Sequence, residues 1–184
     1  MHAKADCELF GGTQCAFNPR GCFGQGGKKG DNDRSMQLQE LRQTRDAKQV
    51  KRLLEELQLR DVKEFNMGVS AYGRVREWRN SLSMLRKMQE ARVMPTVVSF
   101  SAAISACERG GQWQRALLLI SKMRTASVPP NIITFSAAIS ACEKSGQWRS
   151  ALTLLNDMNI ADVAPNVITF NAAISACQKG GQWK

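Results

Sequence analysis

Asn66, Ser70 and Arg74 stand four residues apart. The same kinds of side chain recur at the same interval in Ser101, Ser105 and Arg109, in Ser136, Ser140 and Lys144, and in Asn171, Ser175 and Lys179. Steps of four keep residues on one face of a helix. Each such helix presents a short hydrogen-bonding side chain, then a serine, then a cation. Stacked side by side, helices of this kind carry three parallel tracks. One cation per helix suits a chain of phosphates. Ser and Asn, which both donate and accept hydrogen bonds, suit the edges of bases. The plainer alternative is a solvated face, which accounts for the polarity but not for the return of the same residue types.

The recurrence is a repeat of fixed length. Blocks begin at Val62, Val97, Ile132 and Val167, 35 residues apart each time. The second reads VVSFSAAISACERGGQWQRALLLISKMRTASVPPN and the third IITFSAAISACEKSGQWRSALTLLNDMNIADVAPN, identical at 20 of 35 positions. The first block is diverged, and the fourth, VITFNAAISACQKGGQWK, is partial. The array therefore divides into 62–96, 97–131, 132–166 and a partial 167–184. Such self-similarity marks an architecture in which each unit stacks only on its neighbours.

Each block must supply two helices to position its tracks. In the second block, the first helix is expected over Phe100 to Glu108. Phe100, Ile104 and Cys107 form its apolar face, and Ala102, Ala103 and Ala106 allow close approach of neighbours. Gly110 and Gly111 end it. The second helix is expected from Trp113 to Ala126, with Ala116, Leu117, Ile120 and Met123 as its buried stripe. Pro129 and Pro130 close the block, because proline lacks the N–H that a helix needs and biases the residue before it away from helical angles. Neither helix can bury its stripe alone. The expected fold is an all-α, right-handed α-solenoid with the first helices lining the inner surface. Residues 1–35 hold seven of the fourteen glycines, between Gly11 and Gly30, and few apolar residues, and are expected to be a disordered tail. Residues 36–61 regain a helical pattern in Leu38, Leu41, Val50, Leu53, Leu54 and Leu57, and read as an irregular cap. The array stops at Lys184, as a second helix begins, which reads as a truncated chain or one whose natural product continues.

Composition narrows the classes of function. The net charge is +10, and residues 62–184 carry most of it, with fifteen Lys and Arg against seven Asp and Glu. That excess suits an anionic partner. No run of 18 apolar residues exists, so no membrane span is expected, and no apolar segment of secretory type opens the chain. Cys107, Cys142 and Cys177 share one apolar helix position in successive blocks. Packed helices lie about 8–10 Å apart, beyond the roughly 7 Å limit between the Cα atoms of a disulfide, so all three are expected to be reduced core residues. Cys7, Cys15 and Cys22 with His2 match none of the usual zinc spacings. Gly24, Gly26 and Gly27 before Lys28 lack the ending of a phosphate loop. Trp78, Trp113, Trp148 and Trp183 recur once per block at the start of the second helix, where packing accounts for them better than stacking on bases. His2 is the sole histidine, and no nucleophile–base set recurs in the array. No enzyme, cofactor or metal is implied.

The block ends Pro95-Thr96, Pro130-Asn131 and Pro165-Asn166, the openings VVSFSAAIS, IITFSAAIS and VITFNAAIS, and the 35-residue period resemble the pentatricopeptide repeat. The resemblance covers residues 62–184. The related 34-residue tetratricopeptide repeat has a Trp/Leu/Gly/Tyr pattern that is absent here. What the resemblance implies is binding of single-stranded RNA, one base per repeat. It implies that a base is read by the fifth residue of a block with the last residue before the next, giving the pairs Asn66 with Thr96, Ser101 with Asn131, and Ser136 with Asn166. Asn171 is left without its partner. It implies that Val98, Ile133 and Ile168 sandwich bases, a place taken by Lys63 in the first block. It also implies that Arg74, Arg109, Lys144 and Lys179 contact phosphates. The RNA core it implies is pyrimidine-A-A-pyrimidine, in a chloroplast or mitochondrion, although Asp6 and Glu8 are unlike a typical transit peptide. A helical-repeat scaffold that binds protein is the alternative, and protein partners or a C-terminal continuation remain open.

Overall fold

The computed structural model describes residues 29–181. Among these the elements are nine α-helices: α1 (Lys29–Gln43), α2 (Ala47–Glu56), α3 (Val62–Arg74), α4 (Trp78–Glu90), α5 (Val97–Arg109), α6 (Trp113–Thr125), α7 (Ile132–Lys144), α8 (Trp148–Ile160) and α9 (Val167–Lys179). From α3 onward the bounds repeat in register, one helix pair per block. No helix among the described residues is long and apolar enough to cross a membrane.

The first helices begin three residues earlier than their apolar pattern suggests, and the reason is local. The last residue of each block is the N-cap of the next helix. Asn131 Oδ1 accepts from the Thr134 N–H at 3.0 Å, and the Asn131 N–H donates to Thr134 Oγ1 at 2.8 Å. Asn166 and Thr169 repeat this at 3.0 and 2.9 Å. Thr96 donates its N–H to Ser99 Oγ at 3.1 Å, and Asp61 accepts from the Glu64 N–H at 2.9 Å. Reciprocal caps of this kind satisfy donors that a helix start would otherwise leave free. They also explain why Ser99, Thr134 and Thr169 are fully buried, which the apolar pattern does not reveal.

The turn inside each block needs one residue in left-handed conformation. Gly111 and Gly146 take it at φ +67° and +64°, where glycine meets no steric penalty. The Gln112 N–H then bonds Cys107 O at 2.9 Å, closing the end of α5. In the diverged first block Arg76 occupies the same position at φ 60°.

Packing divides the array into two layers. In one, α3 packs on α5, α5 on α7 and α7 on α9. In the other, the backbones of α4, α6 and α8 stand further apart, with α6 and α8 joined by the Arg124–Asp157 ion pair at 2.8 Å, and each leans on its own first helix and the next one. Closer spacing on the first-helix side curves the stack toward that side, so α3, α5, α7 and α9 line the concave surface. Small residues permit the approach: Ala103, Ala106, Ala138 and Ala141 are fully buried. Phe100, Ile104 and Cys107 are buried as expected, as are Ala116, Ile120 and Met123. Leu119 replaces Leu117 in the α6 stripe, and Leu117 is only partly buried. Trp78 packs across a block boundary so tightly that a Cβ on Gly110 would lie 2.5 Å from its ring, and Trp148 meets Gly180 in the same way. The guanidinium groups of Arg79 and Arg149 stack on these two rings at 5.1 and 5.0 Å. Trp183 lies outside the described residues.

The ends depart from expectation. A helix already runs through residues 29–35, part of the expected tail. Arg34 anchors it: its Nη2 donates to Glu64 Oε2 at 2.7 Å and to Gln58 O at 2.8 Å. Residues 1–28, with Cys7, Cys15, Cys22 and His2, lie outside the described residues. In the cap, Leu41, Val50, Leu53 and Leu57 are buried against the array. At the other end, Cys177 is only half-buried, unlike Cys107 and Cys142. Among the described residues no helix covers the outward face of α9, where Phe170 is 48% exposed against 0% for Phe135.

Candidate nucleic-acid interface

The fifth residues and their serines lie on the concave layer. Ser101 Oγ donates to Val97 O at 2.7 Å and Ser136 Oγ to Ile132 O at 2.6 Å. This bond to the carbonyl four residues back is a habit of serine within helices. It occupies the hydroxyl hydrogen and leaves the oxygen as an acceptor. Asn131 and Asn166 are committed in the opposite sense. Their Oδ1 atoms are taken by the caps, and among the described residues their Nδ2 amides remain as donors. Each pair therefore offers one acceptor and one donor.

The structure brings the third block's set together. Ser136, Asn166, Ile133, Ile168, Ser140 and Glu108 line one open pocket of about 350 Å³. These residues come from three successive blocks. Ile133 and Ile168 are 59% and 66% exposed, and Val98 is 61% exposed at the same register. Branched aliphatic side chains beside a donor and an acceptor can hold a flat heterocycle by its faces and read it by its edge.

The first and last blocks differ. Asn66 is half-buried, and its Oδ1 has no hydrogen-bond partner among the described residues. Thr96 is exposed, as are Lys63 and Asn171.

The cation track is uneven, contrary to its regular spacing. Arg74 is turned to the cap, where its Nη2 donates to Leu41 O at the end of α1. Burial, helped by the charges of Arg109 and Arg45, lowers its pKa from the usual arginine value. Lys144 Nζ donates to Glu108 Oε1 and Lys179 Nζ to Glu143 Oε1, both at 2.8 Å. Ser140 Oγ also donates to Glu108, at 3.2 Å. Arg109 is exposed and has no ion pair among the described residues. The sequence reading missed Glu108 and Glu143. Their signal was the carboxylate just before a track cation, but its partner stands 36 positions on, in the next block. Among the described residues no group of three or more possible metal ligands exists.

Family models match in overlapping stretches: the PPR repeat family over residues 95–144 and 132–179, and the pentatricopeptide repeat domain over residues 50–112. Comparison with curated protein sequences returns no match. Among solved structures, the pentatricopeptide repeat protein PPR10 in complex with an 18-nt psaJ RNA element is similar at 27% identity and a TM-score of 0.66, over 77% of this chain and 22% of that one. PPR10 from maize is similar over 84% and 23% at the same identity and TM-score. The PPR domain of Arabidopsis thaliana protein-only RNase P 1 in complex with tRNA shares the fold at 14% identity and a TM-score of 0.66, over 82% of this chain and 80% of that domain. The chain spans about a fifth of the length of PPR10. With two family models matching across the repeats and the stacked helix pairs in place, the chain belongs to the pentatricopeptide-repeat family.

Proposed function

We propose that the array binds single-stranded RNA on its concave surface and reads one base per complete repeat. The observation that carries this reading is the pocket of about 350 Å³ in which Ser136, Asn166, Ile133 and Ile168 meet. A base between the two isoleucines faces a hydroxyl acceptor and an amide donor. That pair matches adenine, whose pairing edge offers an amine donor beside a ring acceptor. Ser101 with Asn131 and Val98 repeats the set one block earlier. Asn66 with Thr96 reaches further than serine and suits the smaller pyrimidines, and Asn171 of the partial fourth block does likewise if the array continues. The core read is pyrimidine-A-A-pyrimidine. The RNA-bound state of PPR10 supports the choice of ligand. Each net hydrogen bond contributes about 0.5–1.5 kcal/mol, so two well-formed readers together with phosphate contacts bind on the order of micromolar, close to non-specific affinity. The family resemblance also supports a place in organellar RNA processing or expression, which import of the tagged full chain into isolated chloroplasts and mitochondria tests.

Selection from a randomised single-stranded RNA pool tests the reading itself. The wild-type chain is expected to enrich A-A at the two central positions, and Ser101→Asn with Ser136→Asn to shift both toward pyrimidines. Equal recovery of all four bases with both proteins would leave the surface a backbone binder only. Failure to retain any RNA would favour a protein-binding scaffold.

A further inference from the structure

The residue before each track cation is Gly73, Glu108, Glu143 and Gln178 in the four blocks. In the stacked array this position faces the cation of the following block, as the two Glu–Lys pairs at 2.8 Å show. Two independent block boundaries thus carry the same contact with the same geometry. At the first boundary the acid is missing. A Cβ built on Gly73 would stand 3.8 Å from Arg109 Nη1, so the residue facing Arg109 has no side chain with which to neutralise it. The carboxylate of Glu108 also lines the pocket shared by Ser136 and Asn166. A nucleotide seated there arrives beside Glu108, and its phosphate must displace that carboxylate from Lys144 or share the ammonium with it.

We infer that Glu108 and Glu143 are internal competitors of phosphate. They hold Lys144 and Lys179 as neutral pairs and hold down sequence-independent binding, leaving Arg109 as the track's free phosphate contact among the described residues. The inference rests on the RNA reading above and goes beyond it. A surface whose grip came from four free cations would hold any RNA; this one pairs two of them with carboxylates and turns Arg74 to the cap, so base contacts carry the third repeat. Each carboxylate is tethered within reach of its lysine, a condition that favours it over a free phosphate at ordinary concentration.

The test is fluorescence anisotropy of a short labelled single-stranded RNA carrying the core, titrated across a range of salt. Glu108→Gln with Glu143→Gln is expected to steepen the log–log salt dependence by about 0.7 per lysine freed, about 1.4 for both. Affinity should rise about 1.5- to 5-fold per lysine, the range for exposed charge contacts. The gain should vanish when Lys144→Gln and Lys179→Gln are added. Glu90→Gln, an exposed acid on α4, should change nothing. An unchanged or shallower slope in the double glutamine variant would mean that the lysines already lie on phosphate and the acids only orient them. Steepening that persists without the lysines, or that Glu90→Gln reproduces, would reduce the effect to net charge. Either result overturns the inference while the RNA reading stands. A wild-type chain that binds no RNA overturns both. The pairs are partly exposed, so their loss costs little stability, and circular dichroism of each variant checks that the helices persist.

Discussion

Asn131 and Asn166 serve the fold through one atom and face the proposed ligand with another, so substitution can separate the two roles. Replacing both with Ala removes the Oδ1 acceptors that the Thr134 and Thr169 N–H groups use at 3.0 Å. Loss of an N-cap costs about 1 kcal/mol per helix, within a range of about 0.5–2. Replacing both with Asp keeps an acceptor in the same place. Asp ranks with Asn as a cap, and its charge at a helix N-terminus adds about 0.3–1 kcal/mol. The alanine pair should therefore melt several degrees lower than wild type, and the aspartate pair at or above it. Binding should divide differently. A carboxylate cannot donate, so both variants lose the Nδ2 donors. One lost hydrogen bond, about 0.5–1.5 kcal/mol, weakens binding of the pyrimidine-A-A-pyrimidine RNA roughly 2- to 13-fold per position. The aspartate pair should also turn away from adenine toward a base whose pairing edge donates, as that of guanine does. Thermal melts by circular dichroism and anisotropy with four RNAs differing at the central positions measure both. If the aspartate pair melts like the alanine pair, the caps do not hold the helices as argued. If it binds with unchanged affinity and base preference, the amides do not face the base.

Three further predictions concern the framework. Burial pushes the Cys107 and Cys142 thiols up to about 11 from a usual 9.0. At pH 8, with Cys7, Cys15 and Cys22 replaced by Ser, both should react with a thiol reagent at least about a hundredfold more slowly than an ordinary thiol, and half-buried Cys177 should react first; fast labelling of all three would contradict the stacking. Burial would raise the Glu64 carboxyl, but the bonds from Arg34 and the Arg60 N–H, with the Arg34 charge, carry it below its usual 4.5. Its stabilising effect is then present above 4.5 and lost as pH falls through the lower folded value, so helix content of the cap should drop on acidification below about 4.5, and Glu64→Gln should weaken the cap at neutral pH and remove its contribution to that loss. Gly110→Ala puts a Cβ 2.5 Å from the Trp78 ring and should destabilise by about 1–3 kcal/mol, an effect that Trp78→Leu should relieve in a double-mutant melt; additive losses would show that the two residues do not meet.

What the sequence by itself determined is local or periodic. Phe100, Ile104 and Cys107 mark a helix face because apolar residues on one stripe must be buried together. Gly110 and Gly111 mark a helix end because glycine readily takes the conformation that closes one, and Gly111 does take the left-handed turn. The 35-residue period places the same face in every block, so one block's reading carries over to the next, and the Ser and Asn tracks follow from it. What only the tertiary structure decided are contacts between side chains far apart in the chain. Regular spacing presented Arg74, Arg109, Lys144 and Lys179 as equals. Stacking gave two of them a carboxylate from the preceding block and turned a third to the carbonyl of Leu41. The helix across residues 29–35 is likewise held by Glu64, some thirty positions on, and Cys177 parts from Cys107 and Cys142 because nothing among the described residues stacks on the outward face of α9. In each case what decides is electrostatic or steric complementarity between helices, or its absence at the end of the stack. It depends on the distance between two faces, and the pattern along either helix does not contain that distance.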